Sequence, residues 1–169
     1  MADQELETAL SLGQTMIDNE HYQESIDHFS VLADRYPGNP SVIFHLAGAY
    51  DAAGREEEAV APYRAALLAG LSEEESLRAQ IQLASTLRNL GENEEAVGIL
   101  TQLCAEHPEH RAARAFLALA LTSAGRAETA VAELLDLLLT NPGPVEAYRR
   151  SLRWYADDLR SGSGSGYPN

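Results

Sequence analysis

The chain reads as an all-α fold: four helix-turn-helix repeats stacked as an α-solenoid, with a C-terminal capping helix. Three observations predict it. Apolar residues recur at three- and four-residue spacing, as in Leu83, Ala84, Leu87 and Leu90, then Ala96, Val97, Leu100, Leu103 and Cys104. Gly54, Gly91 and Gly125 sit between such paired stripes, where a helix must end and the chain reverse. The pattern also repeats: Ser25, Ala59, Ala96 and Ala130, each opening a second helix, are separated by 34, 37 and 34 residues. No hairpin can bury its stripe alone, so each requires a neighbour of the same kind.

The first predicted pair spans 4–18 and 22–36, with Asn19 near the turn. The second spans 40–53 and 56–69; Asn39 caps it, Pro40 takes the first helical position, and Gly54 makes the turn. Gly70 ends that pair. Ser72 with Glu75 forms a capping box that opens the third, 73–90 and 93–107. The three extra residues of the 37-residue spacing fall in the 70–76 connection, a surface insertion. Pro108 stops the third pair, because proline cannot extend the helix before it. The fourth spans 109–124 and 127–140. Gly143-Pro144 opens the capping helix, 144–160. Its Val145, Tyr148, Leu152, Tyr155 and Leu159 would cover the open end of the stack, with Arg149, Arg150, Arg153, Asp157 and Asp158 facing out. The repeats thus run about 6–39, 40–76, 77–110 and 111–143, one domain over 1–160. Residues 161–169, SGSGSGYPN, read as a flexible Gly/Ser tail. Extended, it would reach about 30 Å, far enough to enter a groove of its own chain or a neighbour's.

Aligned on those small residues, Leu12, Leu46, Leu83 and Leu117 lie thirteen positions before, and Gly13, Ala47, Ala84 and Ala118 follow them. Phe29, Tyr63, Leu100 and Leu134 lie four after; Pro37, Leu71, Pro108 and Pro142 lie twelve after. This resembles the tetratricopeptide repeat, W-x2-L-G-x2-Y, then A-x3-F, then P, in four copies over residues 6–142. The tryptophan position holds Ala9, Ile43, Gln80 and Arg114, and three of the four glycine positions are alanine. The stretch 43–159, with AGREEEAVAPYRAALLAGL, QLASTLRNLGENEEAV, RAFLALAL and RRSLRWYADDL, is similar to a bacterial family of small tetratricopeptide proteins without an assigned activity. That resemblance implies the fold and a cytoplasmic bacterial setting, and no reaction.

A net charge of −14 on 169 residues excludes nucleic acid, whose phosphates would be repelled, and argues against anionic membranes. The 12 positive charges are all arginine. They are unevenly spread: residues 1–76 carry −12 and residues 77–169 carry −2, so head-to-tail self-association as a scaffold is the alternative to partner binding. Cys104 lies on an apolar stripe and reads as a small buried hydrophobe. The opening MADQELETAL lacks the basic region of a signal peptide, and no apolar run approaches the roughly 18 residues of a membrane span; the expected location is cytoplasmic.

No catalytic, metal or cofactor site is expected. Pro108 separates His107 from His110, so the two histidines share no fixed face. Cys104 with His107 lacks an orienting carboxylate. The glutamate runs at 56–58, 73–75 and 94–95 open helices, where carboxylates favour the helix dipole. The family resemblance implies that the first helix of each repeat lines a groove. Its candidate residues here are Phe44, Asp51, Arg78, Ile81, Arg88, Asn89 and Leu119, with Arg149 and Arg153 added by the capping helix. Phe44, Ile81 and Leu119 would form an apolar floor, and the four arginines, of twelve in the chain, a cationic rim. The expected partner is therefore a protein segment, extended or helical, that carries carboxylates. Related clamp domains hold a terminal carboxylate with lysine and asparagine. This chain has no lysine, and only Asn89 fits loosely.

Overall fold

The structure, a computed structural model, describes residues 2–140 and 143–161. Helices fill them: α1 (Ala2–Asp18), α2 (Tyr22–Arg35), α3 (Pro40–Ala52), α4 (Glu56–Ala69), α5 (Glu73–Asn89), α6 (Asn93–Glu106), α7 (Arg111–Ser123), α8 (Ala127–Thr140) and α9 (Arg149–Ser161). A 3-10 segment, Gly143–Tyr148, precedes α9. Among the described residues there is no strand, and no helix is long and apolar enough to cross a membrane. The tail at 162–169 lies outside the described residues.

Local chemistry sets the boundaries. Asn39 accepts the Val42 N–H through its side chain at 3.1 Å, with Pro40 opening α3. The capping box before α5 is complete, Ser72 and Glu75 each accepting the other's backbone N–H. Gly54 and Gly91 take positive φ (70° and 87°) at their turns; in the first hairpin that position falls to Glu20, φ 64°. His110 caps α7 by accepting the Ala113 N–H on Nδ1 at 3.1 Å, so α7 starts at Arg111 and not at 109.

The described residues form two compact units, one up to Leu90 and the other from Gly91 on. In the first, α1 packs on α2, α2 on α3, α3 on α4 and α4 on α5, while α3 also touches α1 and α5. Helices α1, α3 and α5 thus make one layer, and α2 and α4 the other. Ile26, Phe29, Leu32, Val42 and Ala49 form the core at the first hairpin; Ala59, Tyr63 and Ala66 are buried on α4. The Ser25 hydroxyl donates to the Gly13 carbonyl at 3.0 Å, tying α2 to α1. Leu12, aligned with half-buried Leu46 and buried Leu83 and Leu117, is exposed, because α1 packs only on α2 and α3.

In the second unit α6 packs on α7, α7 on α8 and α8 on α9. Its last helix corrects the expectation twice. The α-helix starts at Arg149 rather than 144, the turn before it being 3-10, a tighter winding common at helix starts. That shift changes the face presented. Ala156 is buried, Leu152 and Leu159 are half-buried, and Tyr148 and Tyr155, expected to cover the end, are exposed. Arg153 reaches back to Asp136 on α8, as does Arg160, seven residues on. Arg160 also pairs with Glu133 at 3.1 Å, and Arg114 with Glu133 at 3.4 Å. Two carboxylates and three arginines thus link α7, α8 and α9. Cys104 is half-buried rather than in the core, and that burial pushes its thiol up. Leu134, counterpart of buried Phe29, Tyr63 and Leu100, is exposed.

Candidate functional site

In the first unit the layer of α1, α3 and α5 encloses an open cavity of about 300 Å³. Helix α1 contributes Gln14 and Ile17, α3 contributes Phe44, His45, Gly48 and Asp51, and α5 contributes Arg78, Gln82 and Asn89. From α4, in the other layer, comes Tyr63. The spacing explains the set: positions three, four and seven apart on one helix share a face, so Phe44, Gly48 and Asp51 point together, as do Arg78 and Gln82.

Four residues predicted from the sequence meet here: Phe44, Asp51, Arg78 and Asn89. Two others do not. Ile81 is 7% exposed and belongs to the core, so it provides no apolar floor. Arg88 is half-buried outside the cavity and donates to Asn89 Oδ1 at 2.8 Å. Phe44 lines the cavity but is only 2% exposed, a wall rather than an anchor, with the Arg78 guanidinium 5.4 Å from its ring centroid. Leu119, Arg149 and Arg153 belong to the second unit. Leu119 is exposed there; Arg149 pairs with Glu146 at 3.0 Å and Arg153 with Asp136.

Sequence reasoning missed the polar centre of the cavity. Tyr63 read as a core aromatic, and its ring is fully buried, but its hydroxyl donates toward Gln82 Oε1 at 3.0 Å and Asp51 Oδ2 at 3.5 Å. Thr86, fully buried on α5, donates toward Asp51 Oδ1 at 3.0 Å and the Gln82 carbonyl at 2.9 Å. The available signal was chemical: a phenol or hydroxyl on a core stripe must find a partner. His45 Nδ1 lies 2.7 Å from the Ser41 carbonyl. A carbonyl only accepts, so Nδ1 carries the proton and Nε2 is left as an acceptor.

Burial sets the electrostatics. It pushes the Asp51 carboxyl above its ordinary value, opposed by the Thr86 hydrogen bond and reinforced by Glu56. Burial, together with Asp51, pushes the Tyr63 phenol far up, so it stays protonated. Burial also holds His45 below its ordinary value, against the Ser41 hydrogen bond and with help from Arg78, so the ring is neutral at pH 7. For Glu75 burial pushes upward, but hydrogen bonds from Ser41 and Ser72 outweigh it and hold the carboxyl low.

Asp51 therefore costs stability at neutral pH. The native state holds its proton more tightly than the unfolded chain, so stability falls as pH rises from the ordinary carboxylate range through the raised native value. Asp51→Asn is expected to match or exceed the wild-type Tm at pH 7, the difference shrinking toward pH 4. Thermal unfolding at both pH values checks this; a variant less stable at pH 7 would mean that the hydrogen bond from Thr86 outweighs burial.

Among the described residues no group of three or more His, Cys, Asp or Glu side chains is placed to hold a metal ion. No curated protein sequence matches the chain. Solved structures do. MamA, residues 41 to the end, from Desulfovibrio magneticus RS-1 superposes with a TM-score of 0.66 at 14% identity, over 95% of this chain and 97% of that one. Nearly identical TPR-like repeats from Podosopora anserina give 0.63 at 20% identity, over 96% and 98%. YrrB, described as a TPR protein with an unusual peptide-binding site, gives 0.65 at 14% identity, over 90% and 85%. At these identities the likeness is one of fold. The sequence model of the tetratrico peptide repeat matches residues 40–159, from the first residue of α3 into α9, and by that match the chain belongs to the tetratrico peptide repeat family.

Proposed function

We propose that the chain is a non-enzymatic interaction module that receives a segment of a partner protein, its first unit taking one side chain of that segment in the α1–α3–α5 cavity. The observation that carries this is the cavity itself: three helices of one layer converge on an apolar wall, Phe44 and Ile17, with Asp51, Gln82, Asn89 and Arg78 beside it. A few placed polar groups against an apolar surface is the usual make-up of a binding site. At about 300 Å³ the space suits a long side chain, not a whole helix. YrrB, of the same fold, is described as having a peptide-binding site. The acidity expected of the partner rested on four arginines, and only one of them is left to support it, beside the carboxylate of Asp51 in the same cavity. Arg149 and Arg153 already hold acids and Arg88 holds Asn89, whereas Arg78 is exposed and makes no ion pair among the described residues.

A photo-crosslinking residue at Gln14 or Asn89 should give discrete adducts with a protein of the native host. One at Glu57, exposed and outside the cavity, should not. Equal adducts from all three positions would remove the cavity from this reading.

Self-association is the second reading, favoured by one observation. Val131, Leu134 and Leu138, three and four apart, are exposed along α8. Light scattering over a concentration series, with wild type and Leu134→Glu/Leu138→Glu, separates the two. A wild-type monomer throughout would reject self-association.

A further inference from the structure

The hydrogen bonds that Asp51 accepts among the described residues come from two hydroxyls, those of Thr86 and Tyr63, and not from a cation. Thr86 and Tyr63 have one hydroxyl hydrogen each, and these two hydrogens are shared among four acceptors: both oxygens of Asp51, the Gln82 side-chain oxygen and the Gln82 carbonyl. The Gln14 amide is turned to Asp18 at 3.0 Å, and His45 Nε2 adds a further acceptor. The arginine lining the cavity, Arg78, lies over the Phe44 ring and forms no ion pair among the described residues. Asp51 also stands on the last turn of α3, the negative end of the helix dipole, where an anion is least favoured. The surrounding unit is strongly acidic: residues 1–90 hold 15 acids and 5 arginines, a net −10.

From this we infer that the side chain the cavity takes is basic, an arginine or lysine of the partner segment whose charged head is held by Asp51. This rests on the cavity being the binding site and names what it reads. The chemistry is complementary at each level. A guanidinium or ammonium brings three to five donors and no acceptor to a carboxylate whose two hydroxyl donors are shared with Gln82. Its aliphatic stem can lie along Ile17 and Ala52 at the cavity wall, leaving the head at the acid. Charge-assisted hydrogen bonds to a partly buried carboxylate are stronger than neutral ones, and Asp51, unpaired and partly desolvated, is held in readiness for them. The net charge of the unit would draw a basic segment in, with a rate that falls as salt rises.

The test uses the full chain, labelled with 15N, and four tripeptides, acetyl-Ala-X-Ala-amide with X arginine, lysine, citrulline or glutamate. Citrulline keeps the shape of arginine without its charge. Arginine and lysine peptides should shift the amide signals of Asp51, Gln82, Thr86 and Asn89; the citrulline peptide should bind about tenfold more weakly or not at all. Asp51→Asn should lose the arginine response by about the same factor, while Glu57→Gln, which removes an equal charge from the exposed first turn of α4, should keep it within about twofold. The inference is overturned if citrulline matches arginine, if Asp51→Asn retains wild-type binding, or if Glu57→Gln loses as much as Asp51→Asn. A response at these amides to the glutamate peptide alone would overturn it and leave the cavity a binding site. No response to any peptide would overturn it as well, and the crosslinking at Gln14 and Asn89 then decides the cavity independently.

Discussion

Tyr63→Ala is expected to cost about 3–5 kcal/mol, while Tyr63→Phe costs about 1 kcal/mol. The difference follows from what each removes. The Tyr63 ring is fully buried on α4, its centroid 6.2 Å from that of Phe44 on α3. Truncation to alanine leaves a void between the two layers of the first unit, and close-packed surroundings relax only partly into it. Phenylalanine keeps that packing and loses one hydroxyl, whose hydrogen was already divided between Gln82 and Asp51. Urea unfolding followed by circular dichroism measures both. A loss under about 2 kcal/mol for alanine would mean that the layers close over the gap, and the cavity is then not a rigid receptor. The pair also separates packing from recognition: a Phe variant that folds well but alters the arginine-peptide response places the hydroxyl in the site.

The helices were legible because each signal was local. Pro40 after Asn39, Ser72 with Glu75 and the turn glycines lie within a few residues of the boundaries they set. The face of each helix was legible too, which is how Phe44, Asp51, Arg78 and Asn89 were brought together. Depth was not. Whether a residue on the open face is covered depends on the two flanking helices of its layer, dozens of residues away. Phe44 lies under Arg78 of α5, and Ile81, three residues further along α5, sinks into the core. Tyr63 has two roles, a ring for the core and a hydroxyl for the cavity, and a repeat pattern registers only the first. On α9 the error was one of phase: a helix begun five residues later turns a different side inward, and it made Arg153 a tie to Asp136 rather than a free cation.

Gly13→Val should be the most damaging change on α1. A Cβ built at Gly13 would lie 2.3 Å from Phe29 Cζ, far inside any real carbon contact, and Phe29 has no exposed surface through which to retreat. The aligned position carries alanine at 47, 84 and 118, so the constraint is specific to the ring that α2 presses against α1. For Gly13→Ala two effects oppose each other. Alanine gains about 1 kcal/mol in helix propensity, whereas overpacking costs about 1–3 kcal/mol, and the net is a modest loss. Valine adds two methyl groups and gives back most of the propensity, so about 3 kcal/mol is expected. Phe29→Leu should rescue part of it, and a double-mutant cycle by urea unfolding should show a coupling of about 0.5–3 kcal/mol, because the penalty belongs to the contact and not to either residue. Additive losses would place the damage in the α1 backbone instead. The consequence reaches the cavity, since Gln14 and Ile17 follow Gly13 on the same helix. A Gly13→Val chain whose α1 has moved off α2 should lose the response to basic peptides with Asp51 itself untouched, and Phe29→Leu should restore it in step with stability.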